Sequence, residues 1–74
     1  MNNFNWISCK DSLPPIFTTV LVTWKYGMER YVAPAYMSKN DYGLSWYAVD
    51  KNLKEYNPLR VVAWMKMPEA YEGE

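Results

Sequence analysis

The chain has 74 residues, of which eight are basic and eight acidic, with no histidine and one cysteine. A chain of this length holds one hydrophobic core, so we expect residues 1–74 to form a single small domain. The lack of net charge argues against nucleic acid or an anionic membrane as the default partner, and no apolar run approaches the ~20 residues of a membrane helix.

The means of stabilising so small a core are limited. A single cysteine excludes a disulfide within the chain, and no His or Cys cluster offers a structural zinc site. Four Trp, seven Tyr and two Phe can supply dense aromatic packing. We also expect self-association into a homo-oligomer, because small domains bury little surface. The N-terminal Met-Asn-Asn-Phe-Asn-Trp lacks the basic and apolar regions of a signal peptide, so we expect a cytoplasmic protein.

The first half of the chain predicts a strand stub and a hairpin. Residues 6–9 are apolar enough for a short strand, and the prolines that follow favour a loop. Residues 18–24 are almost wholly β-branched, apolar or aromatic, which predicts a central strand. Residues 26–28 contain a glycine and predict a turn, after which strand character returns over 30–37. Pro34 cannot donate to a ladder, so we expect a sheet edge or a bulge there.

The second half continues the pattern. Residues 38–43 predict another turn, 44–49 a third strand, and 50–58 a polar connection with at most one short helical turn around 52–56. Residues 59–67 predict the last strand, and 69–74 an acidic tail that we expect to fray. Short strands joined in sequence predict a mostly β domain, an antiparallel meander curled into an SH3-like roll or barrel.

The two ends of the chain carry recognisable signatures. Residues 6–14, Trp-Ile-Ser-Cys-Lys-Asp-Ser-Leu-Pro, resemble the opening Trp-Ile-Ser-x-Lys-Asp-x-Leu-Pro of the domain-of-unknown-function family 551. Residues 61–69, Val-Val-Ala-Trp-Met-Lys-Met-Pro-Glu, resemble its closing Val-x-x-Trp-Met-x-Leu-Pro-Glu. Members of that family often carry His where this chain has Ala63. The resemblance implies no activity or site, only a context: a phage or prophage accessory protein acting inside an infected bacterium.

The chemistry for catalysis is absent. Without histidine, a Ser-His or Cys-His nucleophile pair cannot form within the chain, and we interpret Cys9 as a small buried hydrophobic residue. The carboxylates are scattered through predicted turns without the spacing of a metal loop or an acid–base pair. We therefore expect no enzyme activity, no metal and no cofactor.

The remaining candidates for function are aromatic and cationic residues around the two predicted turns. Such residues are enriched at protein interfaces and can stack on a ligand ring or meet a phosphate. We expect Trp6 and Trp64 to support the core. The predicted binding residues are Trp24, Lys25, Tyr26, Arg30, Tyr31, Tyr36, Tyr42, Trp46 and Tyr47.

Three functions fit this composition. The first is a phage accessory factor that binds and modulates a host protein, such as a defence or regulatory component. The second is an oligomer that sequesters a small nucleotide-like ligand in aromatic pockets. The third is single-stranded nucleic-acid binding, which the stacking residues permit and the charge balance disfavours. The composition alone does not separate them.

Overall fold

The computed structural model describes residues 5–70 and 72–73. Five strands form one antiparallel sheet, and a 3-10 helix is inserted before the last strand. None of the helical segments in the described part of the chain has the length and apolar character needed to cross a membrane. The elements are β1 (Ile7–Ser8), β2 (Val20–Tyr26), β3 (Glu29–Asn40), β4 (Gly43–Ala48), the 3-10 helix (Lys51–Tyr56) and β5 (Arg60–Lys66).

The β-branched segment at the start of β2 forms the middle strand of the sheet, whose order is β1-β5-β2-β3-β4. This confirms the predicted mostly β fold with that segment at its centre. β2 and β3 form the predicted hairpin, and Gly27 at its turn has a φ of 60°, which glycine adopts at no steric cost.

The two ends of the chain meet in the sheet. β1 pairs antiparallel with β5, with Ile7 opposite Trp64. The loop after β1 is held by the indole of Trp64, whose Nε1 donates to the Ser12 carbonyl at 2.9 Å. The amide of Phe17 donates to the Met37 carbonyl at 2.8 Å. The two end signatures are therefore adjacent structural elements.

One face of the sheet, the inner face, carries the core. Residues that are paired across strands share a face, and the register places alternate residues of β2, β3 and β4 on this side. The buried hydrophobic residues are Val20, Val22, Trp24, Ala33, Ala35, Met37, Trp46, Ala48 and Leu59.

The 3-10 helix and the residues after it cover the edge of β4. Asp50 caps the helix by accepting a hydrogen bond from the Asn52 amide at 2.9 Å. The side chain of Asn57 accepts from the Ala48 amide, and the Leu59 amide donates to the Trp46 carbonyl, both at 2.9 Å. These bonds connect the two sides of the curled meander, but within the described residues β1 and β4 do not pair and the sheet does not close into a barrel.

Pro34 lies within β3, which is an internal strand, opposite Leu21 of β2. Its carbonyl accepts from the Val49 amide at 3.2 Å, on the side where β4 lies. Because the nitrogen and carbonyl of one strand residue point to the same side, the missing donor also faces that side. The ladder with β4 ends at Ala35, so Pro34 interrupts no hydrogen bond.

The predicted turn over 38–43 is too long. β3 continues to Asn40 and pairs with β4 through Ser38 opposite Ser45, leaving a turn of Asp41 and Tyr42. The polar residues that favoured a turn are the solvent-facing end of a hairpin. The predicted helical turn lies within the observed 3-10 helix. In the tail, residues 69, 70, 72 and 73 have no regular secondary structure, and positions 71 and 74 lie outside the described residues.

Candidate functional site

Four aromatic rings converge where the β2–β3 hairpin meets the 3-10 helix. The indole of Trp24 lies 5.1 Å from the ring of Tyr31 and 5.4 Å from that of Tyr56, measured between centroids. Tyr26 meets Tyr56 edge to face at 4.9 Å. Such separations fall within the favourable range for aromatic pairs. We call these four residues the aromatic cluster.

Two cavities flank the aromatic cluster. The larger has a volume of about 350 Å³, and the smaller has a volume of about 170 Å³. Both are bordered by Trp24, Tyr26 and Tyr56, so these rings form a shared wall. The larger cavity is completed by Lys25, Gly27, Pro58 and Arg60, and the smaller by Tyr31 and Leu53.

The indole nitrogen of Trp24 is the most unusual polar atom of this region. Trp24 is only 4% exposed, yet its buried Nε1 has no hydrogen-bond partner among the described residues. Buried side-chain donors usually find a partner, and leaving one unpaired costs about 1–3 kcal/mol. Trp24 borders both cavities, so the unpaired donor belongs to a residue of the shared wall, although Nε1 itself is buried.

The hydroxyl of Tyr56 remains protonated over a wide pH range. The carboxylate of the adjacent Glu55 raises the pKa of the Tyr56 phenol, and burial and the neighbouring Tyr26 and Tyr31 raise it further. A neutral phenol can both donate and accept a hydrogen bond. The cavity wall therefore presents an uncharged hydroxyl group beside its rings.

Three cations lie in one row across the outer face of the sheet, at the end near the larger cavity. Lys25 of β2 is paired with Arg30 of β3 on one side and Arg60 of β5 on the other. None of the three forms an ion pair with a carboxylate of residues 5–70 or 72–73. Like charges placed directly opposite each other destabilise a sheet. We call Arg60, Lys25 and Arg30 the cation row.

The structure separates the predicted binding residues into different places. Trp24, Lys25, Tyr26 and Tyr31 surround the cavities, and Arg30 adjoins them in the cation row. Tyr36 and Tyr47 pair on the outer face of β3 and β4, with centroids 6.0 Å apart. Tyr42 is 98% exposed at the β3–β4 turn, remote in the sheet from the aromatic cluster.

The burial of the tryptophans does not follow the predicted division between binding and core support. Trp24 and Trp46, predicted as binding residues that flank the turns, are 4% and 7% exposed and belong to the core. Trp6 and Trp64, expected to support the core, are half-buried, and Trp64 packs against the core. The reason is position in the sheet: β2 is central, and β4 is covered by the segment after the 3-10 helix, whereas β1 is an edge strand.

Several residues of the site escaped the sequence analysis. Tyr56, Leu53 and Arg60 lie in or after the segment interpreted as a polar connection, whose few apolar residues gave little signal. The spacing of Leu53 and Tyr56 by three residues is one usable sign, because residues three apart share a side of a 3-10 helix. Arg60 could not be placed without the register of β5.

Among the described residues, no Cys, Asp or Glu borders either cavity. The described residues contain no group of three or more His, Cys, Asp or Glu side chains placed to hold a metal ion. Cys9 is half-buried against the core, and this burial raises the pKa of its thiol. A raised pKa lowers the thiolate fraction and with it the nucleophilicity of the cysteine.

Comparison with known proteins adds one assignment. The family model described as "Protein of unknown function (DUF551)" matches residues 5–72. No curated protein and no solved structure matches the chain. The match covers the sheet, the 3-10 helix and the cavities, and the description of the family names no ligand or reaction.

Proposed function

The chain belongs to the DUF551 family, and we propose that it is a non-enzymatic protein that binds a small planar ligand in the cavities beside Trp24. The observation that carries this proposal is the unpaired Nε1 of Trp24, a buried donor of a residue that borders both cavities. Of the functions that the sequence predicts, it favours ligand sequestration over binding of a host protein.

The energetic argument starts from the unpaired donor. Leaving the donor unpaired in the empty site costs about 1–3 kcal/mol. A ligand acceptor that reaches Nε1 recovers much of this free energy. The same loss penalises ligands that lack an acceptor at this point, which gives selectivity as well as affinity. The site thus favours a heteroaromatic ring, which carries acceptors in its plane, over a plain hydrocarbon.

The shape of the site supports the same ligand class. A cavity of about 350 Å³ is within the range of small-molecule sites. Tyr26 is 58% exposed and Tyr31 is 44% exposed, so both rings combine contact with Trp24 or Tyr56 and access to solvent. A planar ligand can stack on such rings, and the entropy cost is low because fixing each ring restricts only two side-chain torsions.

The cellular part of the proposal comes from the resemblance. We place the protein in the cytoplasm of a phage-infected bacterium, where a ligand-binding protein without catalytic groups would act by sequestering its ligand. Host-protein binding is the alternative that the following experiment separates from this one.

Native mass spectrometry of the freshly purified protein, together with calorimetric titration, tests the proposal. We expect a retained small molecule, or titratable binding of adenosine as a heteroaromatic probe. Tyr56→Leu should weaken the binding by about ten-fold, since a stacking contact contributes about 1–3 kcal/mol. Tyr42→Leu is the matched control, because Tyr42 is exposed and far from the cavities. Absence of both retained ligand and heteroaromatic binding would contradict the proposal.

A further inference from the structure

The cation row presents a concentration of charge that the fold does not use. Arg60, Lys25 and Arg30 come from three neighbouring strands and are paired directly across the sheet. Their side chains share the outer face, opposite the core residue Trp24. No carboxylate in the described part of the chain neutralises them by an ion pair. Mutual repulsion in such a row is a cost that an anion would relieve.

The row begins at the larger cavity. Lys25 and Arg60 border that cavity together with Trp24, Tyr26 and Tyr56, and the turn residue Gly27 and Pro58 border it as well. The cavity therefore lies at the end of the sheet, where a ligand can pass from the inner face with its rings to the outer face with its cations. Arg30 lies one strand farther from β5 and does not border the cavity. A ligand whose ring occupies the cavity can therefore extend an anionic group over Lys25 and Arg60, and from there towards Arg30.

We infer that the ligand is a nucleotide with at least two phosphates, its base in the cavity beside Trp24 and its phosphates along the cation row. This inference rests on the proposed function and adds the chemical class of the ligand. Two strand spacings give the row a length of about 10 Å, which exceeds the reach of a single phosphate. Arginine binds phosphate oxygens in a bidentate manner, and two of the three cations are arginines.

The order of the cations along the row predicts which phosphate each of them binds. The first phosphate, nearest the base, meets Arg60 and Lys25 at the mouth of the cavity. The second phosphate meets Arg30. Single-stranded nucleic acid shares the same chemistry, but the overall charge balance of the chain and the short length of the row favour a mononucleotide.

Calorimetric titration of the full chain with adenosine, AMP and ADP at low and high salt tests the inference. We expect the affinity to increase from adenosine to AMP and from AMP to ADP, by about ten-fold per phosphate, which is the effect of one charge-assisted hydrogen bond. High salt should reduce the binding of ADP most and that of adenosine least. If all three bind equally, the phosphate assignment is wrong while the proposed function stands; if none binds, both fail.

Two variants distinguish the positions. Because Arg60 also borders the cavity that holds the base, Arg60→Gln should weaken the binding of AMP and of ADP by about ten-fold more than it weakens the binding of adenosine. Arg30→Gln should weaken ADP alone. Lys39→Gln is the control, because Lys39 lies near the β3–β4 turn at the other end of β3. Equal losses for Arg30→Gln and Lys39→Gln would overturn the assignment, as would tighter binding of a short single-stranded oligonucleotide than of ADP.

Discussion

The ring of Tyr56 packs against the indole of Trp24 with a centroid distance of 5.4 Å and an interplanar angle of 42°. This contact connects the central strand to the 3-10 helix, which has no fully buried residue of its own. Because Leu53 and Tyr56 are the half-buried hydrophobic residues that pack the helix against the core, the cavity wall depends on an element with few contacts. Local opening of such an element needs less free energy than global unfolding.

Replacing Trp24 by Phe removes the unpaired Nε1 and keeps an aromatic ring in the core. We expect ligand binding to weaken by about ten-fold or more, because the acceptor on the ligand loses its donor. The stability should change little, since loss of buried surface is offset by removal of a buried donor that costs about 1–3 kcal/mol. Calorimetry and urea unfolding of the same preparation measure the two effects.

The control for this variant is Trp46→Phe. Trp46 is also buried in the inner face, at 7% exposure, but it borders neither cavity. We expect Trp46→Phe to destabilise the protein more than Trp24→Phe and to leave binding unchanged. If the two variants lose binding equally, the indole nitrogen is not part of the site.

The strands were predictable because their signal is local. The β-branched residues of β2 and the glycine after it specify a strand and a turn by themselves. The side of the sheet that each tryptophan faces was not predictable in this way. It depends on which strands are central and on the 3-10 segment that covers β4, and both are properties of the assembled sheet.

The site was predictable only in part for the same reason. Tyr26 and Tyr31 flank a turn that the sequence marks clearly, and both reach the aromatic cluster. The cation row required the pairing of β5 with β2, including the irregularity of register between Thr23 and Trp24. No composition or spacing in the sequence indicates that Arg60 lies opposite Lys25.

The two turn glycines should differ in their tolerance of a side chain. Gly27 has φ of 60°, and Gly43 has φ of 115°, with open space around both. The first angle lies in the left-handed region that other residues visit at moderate cost, whereas the second is nearly restricted to glycine. We expect Gly43→Ala to cost about 1–3 kcal/mol and Gly27→Ala about 1 kcal/mol, measured by urea unfolding. The reverse order would contradict this argument.

Burial of Cys9 should make the thiol unreactive and the fold sensitive to alkali. Because the pKa of the thiol is raised in the folded state, the folded protein prefers the protonated form. The associated stability is complete below the pKa of the unfolded chain and is lost as pH rises through the folded pKa. We expect slower alkylation of Cys9 in the native protein than in urea, and a smaller alkaline loss of stability in Cys9→Ser. Equal alkylation rates in both states would refute the prediction.

The first half of β3 leaves a sheet edge through which two copies of the chain can associate. Residues 29–33 pair with β2 on one side, while β4 pairs only with Ala35 to Asn40 on the other. Since the Pro34 carbonyl points to the β4 side, the amides and carbonyls of Arg30 and Val32 point to the same side, where no described strand pairs with them. Val32 is 60% exposed. An unpaired edge of this kind is a template for another strand, and we expect antiparallel pairing of β3 with β3 of a second copy.

Proline at position 32 tests this pairing with little harm to the monomer. The amide of Val32 faces the open edge, so Val32→Pro removes a donor that β2 does not use, as Pro34 does naturally two residues further on. We expect the wild-type protein to sediment as a dimer at tens of micromolar, a range typical of weak association, and Val32→Pro to sediment as a monomer with an unchanged circular dichroism spectrum. Val32→Thr, which retains the amide, is the control and should remain dimeric. A dimer that persists in Val32→Pro would exclude the β3 edge, and a wild-type monomer would exclude self-association at this concentration.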